Sequence, residues 1–438
     1  MDFNYKNILI FGYGGSGRAV EDVLKDIKKP YKIYDKKVRI GGGCYILKLS
    51  KKVLSQFDLI VVSPGVSVFN KYLRMADNMG IKVIGELEFG YWFTTGKIIA
   101  VTGTNGKTST VQLISEMLSN AGYNVGAYGN IGTPLSRAYG IKLDYIICEV
   151  SSFQLETTDK FVGDVGVLLN VDEDHLDRHK TLKNYINCKK DLFKNCNTNS
   201  IVVLNDDDET CHKFANDVTG KVMLTSKCNI VNGVYVKNAT IYSKNNNETI
   251  ELFNINKNKI NATYLDNLLA CIAVGISQNI PKEVILKTLK NWKVMPHRIE
   301  FVSKNDGVTY INDSKSTNIH SVIKAIESVN GNVILLMGGK NKKLNFNNFF
   351  KNLASNVVQI ITFGDAKKYL AKLAKKYNLK VNLAKDIKTA VMLAKSYAQK
   401  GDTILFSPGC TSFDNFNNYA ERGDYFKKVV WDVLNNEK

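Results

Sequence analysis

Two stretches of the chain share one grammar. In "NILIFGYGGSGRAVEDVLKDI" (7–27) and "KIIAVTGTNGKTSTVQLISEMLSNAG" (97–122) an apolar run ends in glycines and opens directly into a helix. A strand that feeds a helix through so tight a turn brings the chain back along the sheet, so the next strand runs parallel to the first. Further runs of strand length follow: "YKIYD" (31–35) and "DLIVVSPGV" (58–66), then "DYIICEV" (144–150), "DVGVLLNV" (164–171) and "SIVVLND" (200–206). A third series begins after "MPHRIE" (295–300) with "TYINDSK", "VILLMGG", "QIITFG" and "TILFSPG". The pattern predicts an α/β protein of three domains, at 1–93, 94–296 and 297–438. Residues 219–260, rich in Asn, Lys and Thr, read as a small β-hairpin insertion in the second.

Composition narrows the function. At 438 residues, 44% hydrophobic and 23% charged, the chain has ample material for several soluble cores. No run approaches the roughly 18 apolar residues of a membrane span. The N-terminus has an acidic second residue and enters a strand at once, unlike a signal peptide, so a cytoplasmic protein without a membrane partner is expected. Eight scattered cysteines form no C-x-x-C pair, which argues against a zinc site and a disulfide framework. The net charge of +18 comes from dispersed lysines with no RNP, zinc-finger or basic-zipper pattern, so no nucleic-acid partner is expected. A positive field also attracts phosphorylated substrates.

The two glycine turns carry the first chemistry. "GYGGSG" (12–17) fits G-x-G-x-x-G, and Asp35 ends the next strand about 20 residues on, as in dinucleotide sites. The turn suits any pyrophosphate at a helix N-terminus, whether of NAD, FAD or a UDP-sugar, and an ordinary tight turn would look the same. "TGTNGKT" resembles a Walker loop two residues short: only Thr104 and Asn105 separate Gly103 from Gly106-Lys107-Thr108. In such a loop Lys107 reaches the β/γ-phosphates and Thr108 a Mg²⁺ ion, and a metal-binding acid is needed on a neighbouring strand. Glu149, at the end of "DYIICE", supplies it. This second turn predicts ATP binding.

Other polar segments sit where strands or domains end. "VDEDHLDRH" (171–179) sets His175 and His179 at i, i+4 but lacks the glutamate of H-E-x-x-H, which disfavours a zinc protease. His175 reads as a candidate ligand of a second Mg²⁺ and His179 as an exposed residue. "PHR" (296–298), "NDSKSTN" (312–318), "GGKNKK" (338–343) and "SPGCTSFDNFNNYAERG" (407–423) bring hydroxyls and lysines suited to a small carboxylate substrate, though any one alone reads as a polar loop.

Taken together, "TGTNGKT", "EVSSFQLETT" (149–158), "YINCKK" (185–190) and "SPGCTSFDNFNNYAERG" resemble the Mur ligases along essentially the whole chain, and specifically their D-glutamate-adding branch. The resemblance implies a Rossmann-like UDP-binding N-terminal domain, a central P-loop ATPase-like domain and a Rossmann-like C-terminal domain. It implies the short loop as the family's own ATP site, Gly103, Thr104, Asn105, Gly106, Lys107, Thr108 and Ser109, with Asn267, Arg298 and Asp313 as further nucleotide contacts. Thr108 and Glu149 would hold one Mg²⁺, and His175 with a carbamylated Lys189 a second. Gly14, Ser16, Asp35, Gly65 and Asn130 would contact the UDP-muramoyl substrate; Lys315, Thr317, Lys342, Ser412 and Tyr419 surround the acyl-phosphate and D-glutamate. Where the family has Gly-x-His-Asn ahead of Asn267 this chain reads "NATY" (261–264), and Lys340 or Lys343 stands as an alternative to Lys342.

The implied activity is ATP-dependent addition of D-glutamate to UDP-N-acetylmuramoyl-L-alanine through an acyl-phosphate, in cytoplasmic peptidoglycan precursor synthesis. A monomer acting on small molecules is expected. Two rival classes remain from the residues alone. An NAD oxidoreductase leaves "TGTNGKT" and Glu149 without a purpose, and a regulatory ATP-binding module leaves the C-terminal polar loops without one.

Overall fold

Each of the three strand series becomes a sheet. The structure, a computed structural model, describes residues 3–36, 44–130, 132–246, 248–260, 264–293, 295–342 and 344–435. Strands Ile8–Phe11, Tyr31–Tyr34, Leu59–Val62 and Lys82–Gly85 (β1–β4) form a parallel sheet of order β2-β1-β3-β4. The second sheet contains Lys97–Thr102, Val125–Gly129, Tyr145–Glu149, Val165–Leu168, Ile201–Asn205, Lys221–Ser226, Gly233–Lys237, Thr240–Asn245 and Glu248–Asn254 (β5–β13). Its order is β13-β12-β11-β10-β9-β8-β5-β7-β6. The third, Glu300–Asn305, Val308–Asn312, Val333–Gly338, Val357–Phe363, Val381–Leu383 and Thr403–Gly409 (β14–β19), runs β14-β15-β19-β16-β17-β18, parallel except for β14.

The strands read as continuous apolar runs because both faces are covered. In the first sheet Leu9, Phe11, Ile60 and Val62 enter one core while Ile8, Ile10, Leu59 and Val61 enter another. The third sheet divides likewise, with Val333, Leu335 and Met337 on one side and Ile334 and Leu336 on the other. The expected hairpin insertion is instead an extension of the central sheet. Strand β10 pairs in parallel with both β9 and β11, and only β11, β12 and β13 form an antiparallel meander. Gly233 makes the join possible: a Cβ there would stand 2.0 Å from the Leu224 carbonyl oxygen.

The first two sheets share one compact unit, the chain up to Val171 with Lys183–Trp292. The third lies in a second unit, Asp172–Leu182 with the chain from Lys293 onward. No described helix is long and apolar enough to cross a membrane.

Within the first unit the helix Glu86–Phe93 carries two carboxylates that have left water. Glu86 accepts from Ser136 N and Oγ, both at 2.7 Å, and burial pushes its carboxyl up from the usual range. Glu88 accepts from three successive amides, Asp159 (2.8 Å), Lys160 (3.0 Å) and Phe161 (2.9 Å), and from Trp92 Nε1 (2.7 Å). Burial of so many donors on one acceptor makes that acceptor costly to remove. Glu88→Ala should lower stability by at least ~3 kcal/mol, since each orphaned buried donor costs about 1–3. Thermal unfolding of the full chain checks this, and a variant melting with the wild type would show that water replaces the carboxylate.

Candidate active site

The first glycine turn frames a cleft of about 670 Å³ lined by residues 11–16, Asp35, Lys36, Ser63–Ser67 and Asn70. Gly14, Ser16, Asp35 and Gly65, the expected substrate contacts of this domain, all line it. Gly17 explains the motif's last glycine: a Cβ there would lie 2.2 Å from the Gly12 carbonyl oxygen, so only glycine lets helix and strand meet. Asp35 accepts from Tyr13 N at 2.7 Å. Beneath the turn, Glu21 accepts from the hydroxyls of Tyr13 and Tyr31, a buried group that no motif had marked.

The second turn is built on left-handed glycines. Gly103 has φ +150° and Gly106 φ +88°, and a Cβ on Gly106 would stand 2.7 Å from Asn267 Nδ2. Asn267, in the helix Leu265–Ser277, donates to Gly106 O and to Thr110 Oγ1, each at 2.8 Å. Here it braces the phosphate loop itself. Lys107 opens the helix Lys107–Asn120 and donates to Gly103 O and Thr104 O, both at 2.8 Å. Thr108 Oγ1 donates to Glu149 Oε2 (2.9 Å), and Asn130 Nδ2 to Glu149 Oε1 (2.9 Å). Ser109 is buried behind the loop.

Lys189, on the helix Leu182–Lys190, is 1% exposed, while Lys190 reaches outward to Asp217. Its Nζ donates to Gly103 O at 2.8 Å and lies 4.6 Å from the Tyr185 ring centre. Two lysine nitrogens thus converge on one carbonyl oxygen, an arrangement that like charges oppose. Tyr185 and Asn170 were missed by sequence reasoning. Tyr185 OH contacts Thr104 Oγ1 (3.1 Å), and Asn170 Oδ1 accepts from Asn105 N (2.8 Å). The position of Asn170 just past β8 was the available signal.

A helix N-terminus, glycines that exclude side chains and a hydroxyl–carboxylate pair fit a nucleotide phosphate with Mg²⁺. Thr108 and Glu149 would hold the ion, and the loop amides the phosphates.

The remaining candidates lie in the second unit. His175 sits at φ +54° ahead of the four-residue helix Leu176–His179, beside Asp174, whose Oδ1 pairs with Lys342 Nζ at 3.3 Å. His179, expected at the surface, is buried: the helix it closes turns it inward. Asp313 is buried and accepts from Ser316 Oγ (2.5 Å), Ser407 Oγ (2.7 Å) and Ile299 N (3.3 Å). Desolvation pushes its carboxyl up to about 6, against the pull of these bonds and of Arg298. Lys315 Nζ lies 5.1 Å from the Tyr419 ring centre, Ser412 is buried and Thr317 half-buried. Lys343 and residues 261–263 lie outside the described residues.

The chain matches three family models: "Mur ligase MurD-like, N-terminal domain" at 6–85, "Mur ligase middle domain" at 101–275 and "Mur ligase, glutamate ligase domain" at 297–410. It is 36% identical to a UDP-N-acetylmuramoylalanine–D-glutamate ligase of Thermoanaerobacter sp. (strain X514), over 98% of this chain and 99% of that one. A ligase of the same name from Pelotomaculum thermopropionicum is 38% identical, over 98% of each chain. Among solved structures, the MurF ligase of Thermotoga maritima in complex with ADP superposes with a TM-score of 0.62 at 17% identity, covering 99% of this chain and 96% of that one. A pseudomurein peptide ligase type C from Methanothermus fervidus gives 0.61 at 19%, covering 98% and 100%. Fold, phosphate loop and full-length matches agree: the chain belongs to the Mur ligase family of ATP-dependent ligases. Within that family its relatives place it among the UDP-N-acetylmuramoylalanine–D-glutamate ligases of peptidoglycan precursor synthesis.

Asp313 offers a pH test. Its folded value lies above the ordinary aspartate value, so the folded chain holds a proton that the unfolded chain has released. Stability from this group is therefore lost as pH rises from about 4 through 6. Relative to Asp313→Asn, the wild type should lose about 1–2 kcal/mol between pH 5 and 7.5. Denaturant unfolding at the two values checks this, and parallel stability curves would place the carboxyl in ordinary solvent.

Proposed function

We propose that the chain joins D-glutamate to the L-alanyl carboxylate of UDP-N-acetylmuramoyl-L-alanine, converting ATP to ADP and phosphate. The observation that carries this reading is the Thr108–Glu149 pair beside Lys107 on the left-handed glycine loop, in a chain with full-length relatives of that name. The substrate carboxylate attacks the γ-phosphate, and ADP leaves an acyl-phosphate behind. The amine of D-glutamate then attacks the acyl carbon, loses a proton and expels phosphate. Positioning and charge neutralisation supply most of the rate in such transfers. Lys107, now on two backbone carbonyls, turns to the β/γ-phosphates; Thr108 and Glu149 orient the metal end. Mg²⁺ bound there neutralises charge on the transferring phosphoryl group.

The UDP moiety lies in the N-terminal cleft against Gly14, Ser16, Asp35 and Gly65, with Asn130 nearer the muramoyl end. Thr317, Lys342, Ser412 and Tyr419 receive D-glutamate, Lys315 the acyl-phosphate, and Arg298 and Asp313 the adenine nucleotide. The domain boundaries near 94 and 296, the monomeric state and the cytoplasmic location are parts of the same reading. So is a second Mg²⁺; His175 enters as its ligand through the resemblance.

Lys189 in this reading carries carbon dioxide as a carbamate. A buried ammonium sharing an acceptor with Lys107 is unfavourable, whereas a carbamate removes the like charge and offers Mg²⁺ an anionic oxygen. Phosphate release from ATP with UDP-N-acetylmuramoyl-L-alanine, adding one amino acid at a time, should respond to D-glutamate and not L-glutamate. Turnover with no amino acid, or with none preferred, would defeat the reading. Lys189→Ala should lower turnover by about 100-fold or more, with partial rescue by a short-chain carboxylate, while Lys190→Ala stays near wild type. Intact-mass or ¹³C measurement showing an unmodified Lys189 in active enzyme would remove the carbamate.

A further inference from the structure

Arg422 is fully buried in the C-terminal helix Tyr419–Asn435. A guanidinium withdrawn from water is ordinarily matched by a carboxylate. This one is not. Its Nε donates to Ser314 Oγ (3.1 Å), Nη2 to Ser314 O (2.8 Å) and Nη1 to Cys410 O (3.0 Å), all neutral acceptors. Burial lowers its pKa to about 10, against the pull of Asp414, so the group remains charged at neutral pH.

The bonds go to loops that carry candidate substrate residues. Ser314 directly precedes Lys315 and lies three residues before Thr317; Cys410 lies two residues before Ser412. Ser314 Oγ in turn donates to Tyr419 O (2.8 Å), which fixes the start of the helix. A third loop closes over the guanidinium. Gly339 has φ +113°, and a Cβ there would stand 2.9 Å from Arg422 Nη1 and 2.3 Å from Thr411 O. Lys340 and Thr411 exchange amide bonds of 2.8 and 3.0 Å, joining the loop of Lys342 to that of Ser412.

We infer that Arg422 is the positioning residue of the amino-acid pocket: it ties two loops from one buried point and lies against a third, and its fixed charge favours an amino acid with a second carboxylate. The inference rests on the proposed reaction. Lysines and hydroxyls on the loops set the geometry for one carboxylate, while a fixed charge in a low-dielectric interior raises the potential felt by any further anion. A neutral side chain gains nothing from that field, which makes the residue selective without touching the ligand.

Wild-type turnover with D-glutamate is measured first; its absence would count against the reaction and leave Arg422 aside. Arg422→Gln should then raise the KM for D-glutamate by about tenfold or more, with the KM for ATP changed by less than about threefold. Arg422→Lys, which keeps the charge, should recover a large part of that loss. Inhibition by D-glutamine, which lacks the second charge, should be nearly the same in wild type and Arg422→Gln. Equal effects of Gln and Lys, or D-glutamine and D-glutamate weakened alike, would reduce Arg422 to a packing role and overturn the inference. Should both variants misfold, Ser314→Ala keeps the charge and removes one tie; an unchanged KM for D-glutamate there would refute the positioning.

Discussion

Glu149 is the constraint around which the central domain is arranged. A carboxylate at the end of an interior strand has to be met by donors, and here Thr108 comes from the phosphate-loop helix and Asn130 from the turn after the neighbouring strand. The adjacent strands β5, β7 and β6 place those three residues at one edge, so the parallel order of the sheet and the position of the acid are a single requirement. Moving the carboxylate by one residue would point it to the opposite face of the strand. Asn267 then acts as the brace behind the loop, filling the space that the missing side chain of Gly106 leaves.

Buried charge recurs as a building device. Glu88 on three amides, Glu21 under two tyrosine hydroxyls, Lys189 at a carbonyl and Arg422 between loops each hold backbone or side chains that the apolar cores do not reach. Such groups are expensive to desolvate and tolerate few alternative arrangements. Glu21 and Lys189 stand beside the two glycine turns and Arg422 beneath the C-terminal loops, while Glu88 pins residues 159–161. The cores between them are ordinary layers of Val, Ile and Leu. Precision in this molecule is supplied by ions, and bulk stability by hydrocarbon.

The sheets and the two glycine turns were legible because apolar runs, Gly-x-Gly spacing and an acid at a strand end are local patterns. The extension of the central sheet was not. A half-polar strand such as Glu248–Asn254, in a Lys- and Asn-rich stretch, looks like part of a surface hairpin, and its place in a nine-stranded sheet depends on the distant fit of Gly233 against Leu224. Nor could His179 be placed, since a four-residue helix has no periodicity from which to read a face. Glu86 and Glu88 left one faint trace, two charges on the otherwise apolar helix "ELEFGYWF". For Arg422, Tyr185 and Asn170 the partners are remote in sequence, and the candidate site is legible only as far as its motifs extend.

The nest of amides around Glu88 bears on how such chains can be recombined. The helix that holds Glu88 follows the last strand of the first sheet, while Asp159, Lys160 and Phe161 follow "EVSSFQLETT" beside the second sheet of the same compact unit. Gly85 adds to the seam, since its Cβ would collide with Thr157 Oγ1 at 2.3 Å and its amide donates to Thr157 O. The layers around the two sheets are therefore matched like lock wards, through backbone that a sequence alignment of motifs would not flag. A chimaera exchanging the N-terminal domain for that of another ligase inherits a mismatched seam unless residues 157–161 travel with it. The first sheet in this architecture is portable only together with its joint.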